Sequence, residues 1–311
     1  MASFNLTAED CSPLLSYYPP GAWLDASSND TFLSAYSGSS FHSTNTSGAT
    51  VTVTFNGTGI TFLGGHRPNY GTYLISVDGQ TVANESSAGP DIFQQVLGSA
   101  YELSNGQHTA ILTSSSDLTI DIDAVYIQTE IGESGSVVLS IHDILKYLSV
   151  PYSSQLSRSM IDDSNSSFVY SSGWDVNEKD YFLNNTLHYT STAGANASIS
   201  FSGDAFALYG TVSEDHANVS LSIDGKSVNV LAGAPTVSTL HTEVLLYYAQ
   251  GLGSNQHTLT VSADPHSSAT PFIDIDALVV YSTTGTNTGL AVKALSPIRP
   301  LHSPIQRFLA S

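Results

Sequence analysis

The stretch Asn105 to Gln128, NGQHTAILTSSSDLTIDIDAVYIQ, returns in altered form at Ser254 to Tyr281 as SNQHTLTVSADPHSSATPFIDIDALVVY. In each version a turn and a histidine (His108, His257) lead into an alternating strand. A polar connection follows, and an Asp-Ile-Asp strand closes the unit at Asp121 to Asp123 and at Asp274 to Asp276. Self-similarity of this kind marks a duplicated domain. Working outward, residues 39–65 align without a gap on residues 185–211 at an offset of 146, so that His42 falls on His188, Phe55 on Phe201 and Gly64 on Gly210.

Within these segments Val51, Val53 and Phe55 alternate with threonine, and Ile60 and Phe62 resume the alternation after Asn56-Gly57. That is the period of a strand with one buried face. TYLISVDGQTV (72–82) and NVSLSIDGKSV (218–228) each end a strand in Asp-Gly, the pair favoured where a tight hairpin needs positive φ at both central residues. Many short strands with hardly a helical period predict an all-β fold of two tandem antiparallel β-sandwiches. The expected division is 1–131 for the first sandwich, 132–160 for an ordered linker, 161–285 for the second sandwich and 286–311 for a tail. The linker segment SVVLSIHDILKYLSV fits a short amphipathic helix or an extra strand, and each half is expected to fold by itself.

The formal charge of -19, with eight Lys plus Arg, makes a phosphate backbone a repulsive partner and excludes nucleic acid. Only 11% of residues are charged, so the surface is built from hydroxyls and amides, an extracellular style. Nine Asn-x-Ser/Thr sequons, at Asn5, Asn29, Asn45, Asn56, Asn84, Asn165, Asn184, Asn196 and Asn218, point the same way. The single cysteine, Cys11, rules out an intramolecular disulfide. MASFNLTAEDC has neither a basic nor an apolar leader region, and no window of about 18 apolar residues suggests a membrane span.

Carboxylates at i and i+2 of a strand share a face. The two Asp-Ile-Asp strands could therefore supply an acid–base pair or hard oxygen ligands for Ca²⁺, or they could cap backbone amides. For calcium the candidate ligands are Glu9, Asp10 and Asp123 in the first copy and Asp162, Asp163 and Asp276 in the second. Recurrence in both copies favours structure over catalysis. The paired histidines show no HxH or HExxH spacing, and hydrogen bonds at turns account for them better than a metal does. Trp23 and Trp174 stand at matching points as sugar-stacking or core residues. The loop GGHRPNYGTY holds Arg67, the one basic residue among the first 145, together with His66, Asn69 and Tyr70. A forked donor, an amide and an aromatic face suit a pyranose, and this loop is the candidate sugar site; Arg67 tethered to a carboxylate is the alternative.

Three segments, YSGSSFHSTNTSGATVTVTFNGTGITFLGGHRPNYGTYLISVDG (36–79), DIFQQVLGSAYELSNGQHTAILT (91–113) and DIDAVYI (121–127), carry a resemblance to a large group of basidiomycete fungal surface proteins. Over residues 4 to 285 the chain is similar to their paired galactose-binding-like jelly rolls, which commonly precede a transmembrane helix. The resemblance implies a cell-surface location. The wider superfamily includes carbohydrate-binding modules, many with a structural calcium held by amino-terminal acids and an Asp of the last strand. The function expected from the sequence is a noncatalytic extracellular protein that binds carbohydrate, such as cell-wall glycan. The rivals are a self-assembling structural protein and a glycoside-active enzyme with paired carboxylates.

Overall fold

The computed structural model describes residues 1–132, 154–231, 237–263 and 272–285, and among them every regular element is a strand apart from three short 3-10 turns, Leu33–Ala35, Ser37–Ser39 and Leu183–Asn185. The expected all-β sandwich architecture is present, and its strand order repeats. A four-stranded antiparallel sheet runs in the order Ala2–Glu9, Ala124–Ile131, Gly59–His66, Ile92–Ala100, matched in the second repeat by Ser154–Asp162, Ala277–Gly285, Ala205–Val212, His241–Gln250. Facing it is a five-stranded sheet, Leu15–Tyr18, Thr50–Gly57, Gly106–Ser114, Thr72–Val77, Gln80–Ser86. Its match is Phe168–Tyr170, Asn196–Ser202, Gln256–Ala263, Val219–Ile223, Lys226–Leu231. A small three-stranded sheet in each repeat holds the first aspartate of the Asp-Ile-Asp segment, in Ile120–Ile122 beside His42–Thr44 and in Ile273–Ile275 beside Thr186–Thr190.

The five-stranded sheets follow the sequence alternation. Val51, Val53 and Phe55 are buried between solvent-facing threonines, as are Ala197, Ile199 and Phe201 between serines. Each such large side chain contributes roughly 1.5–3 kcal/mol of transfer free energy. Both hairpins turn at Asp-Gly with φ of 49° and 77° at Asp78-Gly79, and 51° and 73° at Asp224-Gly225. A histidine of a neighbouring strand fixes each turn. The His108 Nδ1 lies 2.6 Å from Asp78 and its Nε2 donates to the Ser104 carbonyl at 2.7 Å, and His257 does the same with Asp224 and Gly253 at 2.8 and 3.1 Å.

The four-stranded sheets depart from the expectation of one buried face. Nearly every residue of Gly59–His66 and Ala205–Val212 is buried, because the outer faces of these sheets meet. One apolar cluster joins Leu6 and Ile127 of the first repeat to Ala205, Ala207, Leu245, Val279 and Tyr281 of the second, and the Phe4 ring stacks on Tyr281 at 4.0 Å. Polar bonds stitch the rim. The Tyr248 hydroxyl donates to the Asn56 carbonyl at 2.9 Å and accepts the Asn56 N–H at 2.7 Å; Ser12 donates to the Leu245 carbonyl at 2.6 Å. Cys11 is buried with the second repeat's apolar cluster, and burial raises its thiol pKa. Residues 154–160, assigned from the sequence to the linker, belong to the strand Ser154–Asp162 paired with Ala277–Gly285. The segment 136–150, expected to form a helix or a strand, and the tail 286–311 lie outside the described residues. No helix among the described residues is long and apolar enough to cross a membrane.

Candidate functional site

Asp121 and Asp274 are the equivalent centres of the two repeats. Each sits at the middle of a short Ile-Asp-Ile strand, against a glycine of the four-stranded sheet. A Cβ at Gly64 would lie 2.8 Å from Asp121 Oδ1, and one at Gly210 would lie 2.6 Å from Asp274 Oδ1, so only glycine admits the carboxylate there. Around these centres the repeats diverge.

In the first repeat Asp121 accepts the Gly65 N–H at 2.6 Å and the hydroxyls of Tyr36 and Tyr70 at 2.5 and 2.7 Å. Burial pushes the Asp121 carboxyl upward against these three donors. Above it, the Arg67 guanidinium forks onto Asp30 at 2.9 and 3.1 Å, its carbon 5.4–5.7 Å from the ring centres of Phe32, Tyr36, Phe41, Tyr70 and Phe93. The Arg67 bonds hold the Asp30 carboxyl below its ordinary range. Of the four residues expected to read a sugar, His66 is half-buried, Asn69 is exposed, Tyr70 is buried onto Asp121, and Arg67 has its fork occupied. The structure does not gather them into a sugar site. Asp30 arrives from 37 residues upstream, a pairing that no local spacing announces.

The second repeat carries Ser213 where the first has Arg67, His216 for Tyr70, Phe182 for Tyr36 and Thr211 for Gly65. The register of the small sheets sets Asp25 opposite His42 and Val176 opposite His188. Between Asp25 and Tyr36 there are therefore ten residues (26–35), and between Val176 and Phe182 only five (177–181). The longer connection is the one that brings Asp30 and Phe32 over the first site. Without it, and without the arginine, the second site is a cleft of about 350 Å³. Asp274 accepts the Thr211 N–H at 2.7 Å, the Thr211 hydroxyl, and His216 Nε2–H at 2.7 Å; His216 Nδ1–H reaches Asp215 at 3.1 Å. Burial opposes the imidazolium, but the bonds to Asp274 and Asp215 outweigh it and raise the His216 pKa. Tyr189, Phe272 and Leu240 supply apolar walls. The 146-residue offset sets Ser213, Asp215 and His216 opposite Arg67, Asn69 and Tyr70, but the missing forked donor directed the sugar-site expectation to the first repeat, and the shortening of the connection emerges only from the strand register.

The calcium candidates separate in a similar way. Ser37 holds Glu9 Oε1 through its hydroxyl and Asp123 Oδ1 through its N–H, both at 2.9 Å. Glu9 Oε2 and Asp123 Oδ2 are buried with no hydrogen-bond partner among the described residues. Burial, with the nearby charges of Glu9, Asp10 and Asp121, pushes the Asp123 carboxyl up to about 8. Two carboxylates held on one serine, each with a buried oxygen left without a partner, offer the donor type that a hard cation takes. Asp10 is spent elsewhere, on Ser40 at 2.5 Å and His42 at 2.6 Å. In the second repeat Asp163 binds His188 at 2.6 Å and Thr186 at 2.7 Å, and Asp162 binds Asn184 at 3.0 Å. Asp276 alone keeps a buried unpartnered oxygen there, so the second trio does not fit as a set. Asp10, Asp25 and His42 also lie close enough to offer three ligand atoms within 4.8 Å of one another. The remaining aromatic candidates are structural: Trp23 is buried, and the Trp174 indole donates to the Asn196 carbonyl at 3.1 Å.

No protein-family model matches the chain. It is 26% identical over 242 residues to an A type blood α-D-galactosamine galactosaminidase of Flavonifractor plautii, a match covering 77% of this chain and 20% of that protein. It is 28% identical over 117 residues to an A type blood N-acetyl-α-D-galactosamine deacetylase of the same organism, covering 37% of this chain and 14% of that protein. The chain thus spans a fifth or less of the length of these curated relatives. Among solved structures a Paenibacillus xanthan lyase aligns at 12% identity and a TM-score of 0.30, over 88% of this chain and 26% of that one. The link to carbohydrate-related proteins expected from the sequence is upheld. The expectation of a noncatalytic protein is corrected, because both curated relatives are named as enzymes.

Proposed function

We propose that the chain engages glycan as part of a carbohydrate-active enzyme, and that sugar enters the second-repeat cleft over Asp274 and His216. The observation that carries this reading is the contrast between equivalent sites: one sealed by Arg67 and Asp30, the other open with a charged hydrogen-bonding centre and aromatic walls. Such a cleft matches what a saccharide offers, hydroxyls for Asp215 and His216 and an apolar ring face for Tyr189 or Phe272. The sequence relationship to the two Flavonifractor enzymes supports the same substrate class. Asp215 and Asp274 flank one imidazole in the cleft, an arrangement able to move protons during bond cleavage as well as to bind. An extracellular setting belongs to the proposal, supported by sequon asparagines that are exposed at Asn5, Asn29, Asn45, Asn84, Asn165, Asn184 and Asn196 and half-buried at Asn218.

The test is calorimetric titration of the full chain with galactosamine, N-acetylgalactosamine and neutral oligosaccharides, with released sugar measured in parallel. Binding or turnover lost in both His216→Ala and Asp215→Asn supports the proposal. Either activity retained at wild-type level in both variants removes it.

A further inference from the structure

A second cleft, of about 460 Å³, opens where the two repeats meet. Its first-repeat wall includes Ser16, Thr54, Asn56 and Gln107, and its second-repeat wall includes Ser227 and Tyr247. The volume lies within the range of about 300–1,000 Å³ that small-molecule sites occupy. None of its lining residues is Asp, Glu, Lys, Arg or His, in a chain whose formal charge is -19. It therefore offers no counterion to an acidic sugar or to an amino sugar, whereas the second-repeat cleft presents Asp215 and Asp274. Hydroxyls and amides that can both donate and accept are the natural complement of a neutral polyol.

The cleft is built by a difference between the repeats. In the first, the residues that pair with Phe62 and Thr61 are Gly98 and Ser99. At the equivalent places in the second, pairing with Leu208 and Ala207, stand Tyr247 and Tyr248. Tyr248 is buried and its hydroxyl clasps the Asn56 backbone, which fixes the spacing of the walls. Tyr247 is half-buried, and its hydroxyl makes no hydrogen bond among the described residues. An aromatic ring with an uncommitted hydroxyl, on a rigid strand, beside five neutral polar side chains, is a platform for a sugar ring.

We propose that the cleft between the repeats is a separate glycan subsite for a neutral saccharide, with the sugar on Tyr247 and its hydroxyls shared among Ser16, Thr54, Asn56, Gln107 and Ser227. This rests on the reading that the chain engages glycans. It adds a site selective for uncharged sugars to the acidic cleft of the second repeat.

The experiment titrates the full chain with cellotriose, laminaritriose, galactobiose and N-acetyllactosamine. For a probe that binds, affinity should fall at least tenfold in Tyr247→Ala and in Ser227→Trp, and stay within twofold in His216→Ala. Tyr247→Phe, which keeps the ring, should retain most of the binding. Ser227 is exposed, so its replacement by tryptophan fills the cleft without disturbing the core and keeps the test decisive if Tyr247→Ala unfolds. A bound probe whose affinity is unchanged in Ser227→Trp but lost in His216→Ala overturns the subsite and leaves the second-repeat cleft standing. Failure of wild-type protein to bind any of the probes or an amino sugar overturns both.

Discussion

Arg67 grips Asp30 with both terminal nitrogens, at 2.9 and 3.1 Å, inside a ring of aromatic faces, and this pair is what closes the first repeat's site. The two side chains are 14% and 18% exposed, so the pair lies between a surface bridge and a buried one. Arg67→Ala should cost about 2 kcal/mol, between the ranges for exposed and for buried pairs. Asp30→Ala should cost a similar amount, and the double variant less than the sum of the two. Thermal melts of the four proteins give the coupling. Glycan binding by the full chain should be unaffected; its loss in Arg67→Ala at unchanged Tm would return the loop to a sugar-reading role.

The two histidine-locked turns set a pH dependence. For His108 burial opposes the charge, but the Ser104 carbonyl and Asp78 carboxylate raise its pKa; for His257 the Asp224 bond leads the rise. A raised histidine contributes fully below its unfolded value of about 6.5 and is lost as pH climbs through the folded value. Asp78 and Asp224 are lowered, Asp78 chiefly by the Thr109 N–H and Asp224 chiefly by His257. Their contribution is full above about 3.9 and lost as pH falls through the folded value. Both effects coexist between about pH 4 and 6.5. Subtracting the Tm profile of a His108→Gln, His257→Gln protein from that of wild type should give a difference largest in that window and shrinking toward pH 8. A difference that grew with alkalinity would contradict the assignment.

Calcium bound through Glu9 and Asp123 should add about 2.7 kcal/mol of stability when it is present at a hundred times its Kd, and raise Tm accordingly. Glu9→Gln and Asp123→Asn should abolish the increment. Asp10→Asn should keep it while lowering the baseline, because Asp10 serves His42 and Ser40. Identical melts in calcium and in chelator would exclude the ion.

The buried seam between the four-stranded sheets bears on the expectation that each half folds alone. A separated second repeat would expose Ala205, Ala207, Leu245, Val279 and Tyr281, all buried in the cluster shared with the first repeat. The isolated halves should therefore self-associate in light scattering, and Tyr248→Phe in the intact chain should cost on the order of 1–2 kcal/mol for its two lost bonds. Monodisperse, stably folded halves would show that the seam contributes little.

The alternating strands and the Asp-Gly turns were legible because each depends on neighbours within a few residues, and the duplication because whole segments recur at a fixed offset. The double burial of the four-stranded sheets was less so, although the unbroken run Ala277 to Tyr281, ALVVY, carries the mark of a strand covered on both sides. Treating Asp121 and Asp123 as a same-face pair failed because the strand ends at Ile122, which frees Asp123 to turn toward Ser37. The site itself depends on what a connection 26–35 places over Arg67, and on its shortening in the second repeat. Both are facts of tertiary contact that spacing along the chain does not encode.

The most direct test of the central claim is to map amide chemical shifts while titrating the labelled full chain with galactosamine. The account predicts that the largest changes cluster at Thr211, Asp215, His216 and Phe272. Changes centred on His66, Arg67, Asn69 and Tyr70 instead, with the second-repeat cleft silent, would contradict it.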